Sequence, residues 1–244
     1  MKKLLLYTFC LLLLLSSCSG NQEPASGLLW KITTPNGKKA FLFGTMHVYP
    51  EDQVSISDDV MAALKTCSVL ATERNVRDAE DQRLFEEQNK HKTGARTYQV
   101  IEKHYGSGLK SMERELMRVA DRHRIPVTGL EKAQELLGLL SRIQVPLEEN
   151  LSDVQIIAKH KQVISLYKSA NIDSLADRVL DQELGTEIRR LMIDQRNLNW
   201  LDDIENLIQY ERAFIAVGMG HLGGEKGLIN LLRQKGYTVE RTEN

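Results

Sequence analysis

The sequence predicts an α/β fold, a mixed β-sheet flanked by helices with a large helical insertion in the second half, and three observations carry that prediction. Short apolar runs bounded by turn residues recur along the chain between longer helical patterns. The region from about 131 to 211 keeps helical period almost throughout. The 244 residues are 42% hydrophobic and 27% charged, the profile of a globular chain long enough to bury a core without disulfides.

Residues 1–17 hold two lysines, an apolar run from Leu4 to Leu15 broken only by Thr8, and two serines. This is the pattern of a secretory signal, since a membrane span needs about 20 apolar residues. Leu15-Ser16-Ser17-Cys18 resembles the lipobox of bacterial lipoproteins, in which the cysteine is acylated and the peptide is cut just before it. Cys18 is therefore the expected lipidation site. A lipid anchor there places the chain on a membrane of the bacterial cell envelope, facing the periplasm. Residues 18–27 are small and polar and suit a flexible tether.

The remainder, 28–244, reads as one domain. Leu28–Ile32 and Ala40–Phe43 are apolar runs around Thr34-Pro35-Asn36-Gly37-Lys38, a hairpin signal. Ser57, followed by Asp58 and Asp59 and then good helix formers, starts a helix. Val69–Thr72 is a buried strand, and Asp78–Lys92 is a polar, solvated helix whose charges need no functional reading. A helix over Ser111–Arg124 leads to a strand within Ile125–Leu130, and Pro126 makes this an edge strand or is itself confined to the strand's start. Glu131–Glu211 is helical apart from a break at Val145-Pro146, with Ile188, Leu191, Met192 and Leu198 spaced as a core stripe. Ala213–Val217, Gly224–Gln234 and Tyr237–Glu240 complete a strand, a helix and a strand. With Cys10 removed and Cys18 acylated, Cys67 has no disulfide partner, and its apolar setting makes it a buried, inert thiol.

A formal net charge of -1 with no long basic block gives little electrostatic reason to expect nucleic acid, short of a basic patch assembled only in three dimensions. The chemistry is expected at strand ends. Phe41–Phe43 leads to Gly44-Thr45-Met46-His47, Val69–Thr72 to Glu73, Val127–Leu130 to Glu131, and Phe214–Val217 to Gly218-Met219-Gly220-His221. Ligands of open α/β sheets bind outside the carboxyl ends of the strands, so two histidines and two carboxylates can meet in one cleft. Imidazole and carboxylate are the usual ligands of zinc, manganese or iron(II), and a site with an open position is catalytic in type. Gly44, Gly218 and Gly220 permit close approaches that a side chain blocks. His91, His104, His123 and His160 lack the Gly-x-x-His context, and no His-Glu-x-x-His occurs. Gly218, Gly220 and Gly223 also spell a dinucleotide fingerprint, but only one strand is predicted after it, so a Rossmann unit would have to recruit its other strands from upstream. No P-loop spacing is present.

Leu29-Trp30-Lys31-Ile32, the Phe41–His47 stretch, Glu73, Gly129-Leu130-Glu131, Gln195-Arg196-Asn197, Val217–Leu222 and the glycines that follow resemble the TraB/GumN family of PrgY- and Tiki-like proteins. The resemblance runs in order from about residue 28 to 241. It implies a fold shared with the erythromycin-esterase and ChaN-like proteins and, for Tiki-type members, metal-dependent peptidase activity. It carries the family's functional positions onto His47, Glu73 and His221, implied as metal ligands or catalytic groups, with Arg196 and Glu131 beside them. The implied cofactor is a divalent ion, manganese, cobalt or zinc. Arg196 either meets substrate charge or ties the helical insertion to the sheet. Arg74, next to Glu73, is a cation that weakens metal binding if it faces the cleft. The expected function is a membrane-anchored hydrolase of peptide or protein substrates. The alternatives are a non-catalytic lipoprotein that sequesters a peptide signal or haem-like ligand, and a metal-free esterase using His47 as general base.

Overall fold

The computed structural model describes residues 23–24, 28–88, 95–143, 151–170, 172 and 187–242. The signal segment, Cys18, most of the tether and the Val145-Pro146 break lie outside the described residues. A six-stranded mixed sheet forms the centre, built from β1 (Leu29–Thr33), β2 (Lys39–Thr45), β3 (Val69–Thr72), β4 (Val127–Gly129), β5 (Ala213–Gly218) and β6 (Thr238–Arg241). Its spatial order is β6-β1-β2-β5-β3-β4. β1 runs antiparallel to both its neighbours, β6 and β2, whereas β2, β5, β3 and β4 run parallel. The α/β expectation is met; β4 is an edge strand, and Pro126 stands immediately before its start.

Each element follows from its residues. Thr34 closes the β1–β2 turn by accepting from Gly37 N and donating to Lys38 O, both at 2.9 Å, and Gly37 takes the positive φ of 83° that the turn needs. α1 (Asp58–Lys65) and α4 (Met112–His123) are capped by Ser57 and Ser111, whose side chains accept from Val60 N and Arg114 N. β5, Ala-Phe-Ile-Ala-Val-Gly, is buried along its whole length, as a parallel strand at the centre of a covered sheet should be. α1 and α4 pack on each other and against β2 and β3, while α7 (Gln195–Tyr210) lies on β5 and on α8 (Leu228–Gln234). Eight α-helices are present among the described residues, the others being α2 (Ala79–Gln88), α3 (Ala95–Tyr105), α5 (Ala133–Leu140) and α6 (Asp153–Lys168).

Three expectations are corrected. Leu198 is 44% exposed and does not belong to the core stripe. A π-turn at Arg190–Asp194 interrupts the helix there, and its wider turn carries the buried face from Leu191 to Arg196 and Asn197, then Trp200, Leu201, Ile204 and Ile208. The polar α2 is not wholly solvated: Asp81 is buried and accepts from Arg74 and from Ala133 N. The last helix begins at Leu228, four residues after Gly224, because a 3-10 turn at Met219–His221 and a loop follow β5. Cys67 is buried, and burial pushes its thiol up to about 11. No helix among the described residues is long and apolar enough to cross a membrane.

Candidate active site

The parallel strands β2, β5, β3 and β4 end on one edge of the sheet, so register alone brings four chain segments together. Thr45 stands opposite Gly218, Ala216 opposite Thr72, and Thr72 opposite Gly129. The residues that follow these strand ends, His47, His221, Glu73 and Glu131, meet there with Arg196 from the first turn of α7.

Glu73 is the centre. Its Oε1 accepts from Gly218 N at 2.7 Å and lies 3.6 Å from Nε2 of both His47 and His221. Its Oε2 accepts from Arg196 Nη2 at 2.5 Å. Arg196 also grips Glu131 through two parallel bonds, Nε to Oε2 at 3.0 Å and Nη2 to Oε1 at 2.7 Å. Nη1 donates to Met192 O at 3.0 Å and to His221 Nε2 at 3.2 Å. All five guanidinium N–H groups are thereby engaged inside the protein, leaving none for a substrate carboxylate. The helical insertion is tied to the sheet by this contact, and the Met192 carbonyl that receives Nη1 comes from the π-turn.

Both imidazoles are oriented from behind. Asn197 donates through Nδ2 to the carbonyls of His221 and Lys226, which turns its Oδ1 toward His221 Nδ1 at 2.7 Å. Nδ1 must then carry the proton, and Nε2 is left as the acceptor. The His221 ring stacks 4.6 Å from Trp200, whose indole N–H donates to Glu131 at 3.2 Å. His47 Nδ1 meets Glu113 Oε1 at 2.6 Å, and Glu113 is fixed in turn by the hydroxyls of Thr45 and Ser111. A carboxylate thus holds one ring and a neutral amide the other.

That difference sets the electrostatics. Glu113 raises His47 to about 10, although this side chain is 61% exposed and water screens the pairing. Burial pushes His221 down to about 3; its side chain is only 4% exposed and the Arg196 cation adjoins it. Burial opposes ionisation of Glu73, yet Arg196 above all holds its carboxyl well below the usual range. Burial likewise opposes ionisation of Glu113, but His47 and the hydroxyls bring it to about 2. Burial raises Glu131.

Close approach explains two glycines. A Cβ on Gly218 would stand 3.1 Å from both Glu73 Oε1 and His47 Nε2, and one on Gly44 would meet Leu222 at 2.6 Å. Gly220 lies within the 3-10 turn that delivers His221. The Gly218-x-Gly220-x-x-Gly223 spacing therefore runs into that turn instead of a helix start. Arg74 points out of the cleft, paired with Asp81 at 2.7 Å and lying over Phe85. Sequence reasoning assigned no role to Glu113, Asn197 or Trp200. Asn197 and Trp200 lie one and four residues after Arg196, but nothing in the spacing ties Glu113 to His47. Among the described residues no group of three or more His, Cys, Asp or Glu side chains is drawn into one metal-binding cluster.

The chain is 34% identical over 70 residues to Metalloprotease TIKI1 of Danio rerio, a stretch that is 28% of this chain and 14% of that protein. No solved structure matches the chain. The sequence profile of the TraB/PrgY/gumN family matches residues 28–105 and 92–241, nearly everything after the tether, and the chain belongs to that family.

Proposed function

We propose that this chain is a membrane-anchored hydrolase of peptide bonds, assisted by a divalent metal ion. One observation carries the reading: two imidazoles from opposite ends of the sequence present Nε2 to the same oxygen of Glu73, each at 3.6 Å, on the carboxyl edge of a parallel sheet. The name of the distant relative, a metalloprotease, supports it. The donor chemistry suits a divalent ion, because the two ring nitrogens and a carboxylate oxygen are of the kinds that bind manganese, cobalt or zinc. His47, Glu73 and His221 would hold it once Arg196 Nη1 had released the His221 Nε2 lone pair that it now occupies at 3.2 Å, and when bound it would make a water acidic enough to yield a nucleophile near neutral pH.

The chain's own groups do the rest. Glu113 and Asn197 keep both Nδ1 atoms protonated and both Nε2 atoms turned inward. Arg196 keeps Glu73 ionised and fixes its second oxygen, so only Oε1 faces the histidines. Glu113 raises His47, so binding of the ion would displace the Nε2 proton of this exposed ring and leave that nitrogen as a ligand. His221, buried and neutral, serves as a fixed ligand or acceptor.

Incubating the purified protein with a peptide library, with manganese or cobalt and with chelator, tests the reading. Cleavage is expected with metal, and both chelator and His47→Ala should abolish it. Turnover that survives chelation, or full activity in His47→Ala, contradicts it. Ligand retention without turnover would favour the sequestering alternative.

A further inference from the structure

The antiparallel first strand brings the chain into the domain on the same edge of the sheet that carries the candidate site. β1 starts at Leu29, whose partner in β2 is Phe43, two residues before that strand ends at Thr45. Upstream, Glu23 and Pro24 pair in parallel with Val54 and Ser55, in the connection that leads from His47 to α1. The opposite edge is marked by the β1–β2 turn. With 7 residues in β2 at about 3.3 Å each, the two edges stand roughly 20 Å apart.

The cysteine of the lipobox-like segment, Cys18, lies five residues before Glu23. Five residues span at most about 18 Å when fully extended. Were the chain held only from Leu29, eleven residues, about 40 Å, would separate domain and anchor, and the domain would be free to turn over.

We propose that the anchored protein stands with its site edge toward the bilayer, and that its substrates are polypeptide segments displayed at the surface of that same membrane. This rests on the reading of Cys18 as an anchor and of the cleft as hydrolytic. The short tether holds the edge within a thin layer above the lipid. An enzyme and a substrate confined to that layer meet at a raised effective concentration, which a peptide free in solution does not share.

Orientation is measurable without turnover. The full lipidated protein is placed in vesicles of phosphatidylethanolamine and phosphatidylglycerol, with one thiol-reactive fluorophore at Asp52→Cys, on the site edge, or at Asn36→Cys, in the β1–β2 turn. Buried Cys67 stays unlabelled. Headgroup-nitroxide lipid is expected to quench the first probe at least threefold more than the second. A twenty-residue Gly-Ser insertion between Cys18 and Glu23 should remove the difference. Equal quenching at native tether length, stronger quenching at Asn36→Cys, or a mature Cys18 without acyl chains by mass spectrometry overturns the proposal. Vesicle-displayed peptide should be cleaved at least tenfold faster than the same peptide in solution, and equal rates overturn the substrate assignment. Site-edge-down orientation in a protein that cleaves neither form refutes the hydrolase reading instead, so the two failures are distinct.

Discussion

Arg196 is the residue on which the site depends most. It is buried, it bonds Glu73 and Glu131 at once, and every one of its donors is used. Removing one partner of a buried charge network leaves the others uncompensated, which costs about 3–5 kcal/mol. Arg196→Met should lower the free energy of unfolding by that amount, read as a lower denaturation midpoint, and Arg196→Lys should recover only part of it, since an ammonium lacks the planar fork. An unchanged midpoint would show that the carboxylates are solvated or neutral in the folded protein. Gly218→Ala tests packing at the same point. A methyl group 3.1 Å from Glu73 and His47 should cut activity at least tenfold while shifting stability by only about 1 kcal/mol.

At the scale of elements, the start of α4 is what holds His47. Glu113 sits in its first turn behind the Ser111 cap, and Met112 N donates to Met46 O at 3.3 Å, so helix and loop are joined on both sides of the imidazole. Glu113→Ala should lower activity about 10- to 100-fold, the usual effect of losing the group that orients a site histidine. Its fold should survive, because Met112, Leu116, Met117 and Ala120 still bury the other face of the helix. Circular dichroism beside the peptide assay separates the two effects, and a variant as active as the parent removes Glu113 from the site. His160 of α6 adds a further hold on this loop through the Val48 carbonyl at 3.0 Å. The π-turn plays the matching part for Arg196. No α-helical periodicity could have revealed it, because it breaks that periodicity.

For the whole molecule, pH dependence of stability follows from the site's titrating groups. His221 is neutral in the fold down to about 3, whereas unfolded histidine takes its proton near 6.5. The unfolded chain therefore binds more protons across that window, and stability rises with pH through it. Glu113 adds the same sign between about 2 and the ordinary 4.5. His47 acts oppositely, its contribution being full below 6.5 and lost as pH climbs toward about 10, reduced by its exposure. Chelator-treated protein should be most stable near pH 6 to 7, and His221→Gln should flatten the rise between 3 and 6.5. A thermal melting series across pH checks this; an unchanged slope in that variant assigns the acid sensitivity elsewhere.

What the sequence determined by itself is the six strands of the central sheet and the identity of the residues at their ends; the four two-residue strands outside that sheet left no such signal. Apolar runs such as Phe41–Phe43 and Phe214–Val217 must be buried, and the polar residue that ends a buried run has to emerge at an edge. That is local physics, readable one segment at a time. Only the tertiary structure decided which edge these residues share, because parallel register between β2, β5 and β3 links positions more than a hundred residues apart. It also decided the partners: Glu113 behind His47, Asn197 behind His221, and the enclosure of Arg196, whose five hydrogen bonds go to four residues, Glu73, Glu131, Met192 and His221. A hydrogen bond across such a distance depends on where two backbones come to rest, and one-dimensional spacing carries no record of that.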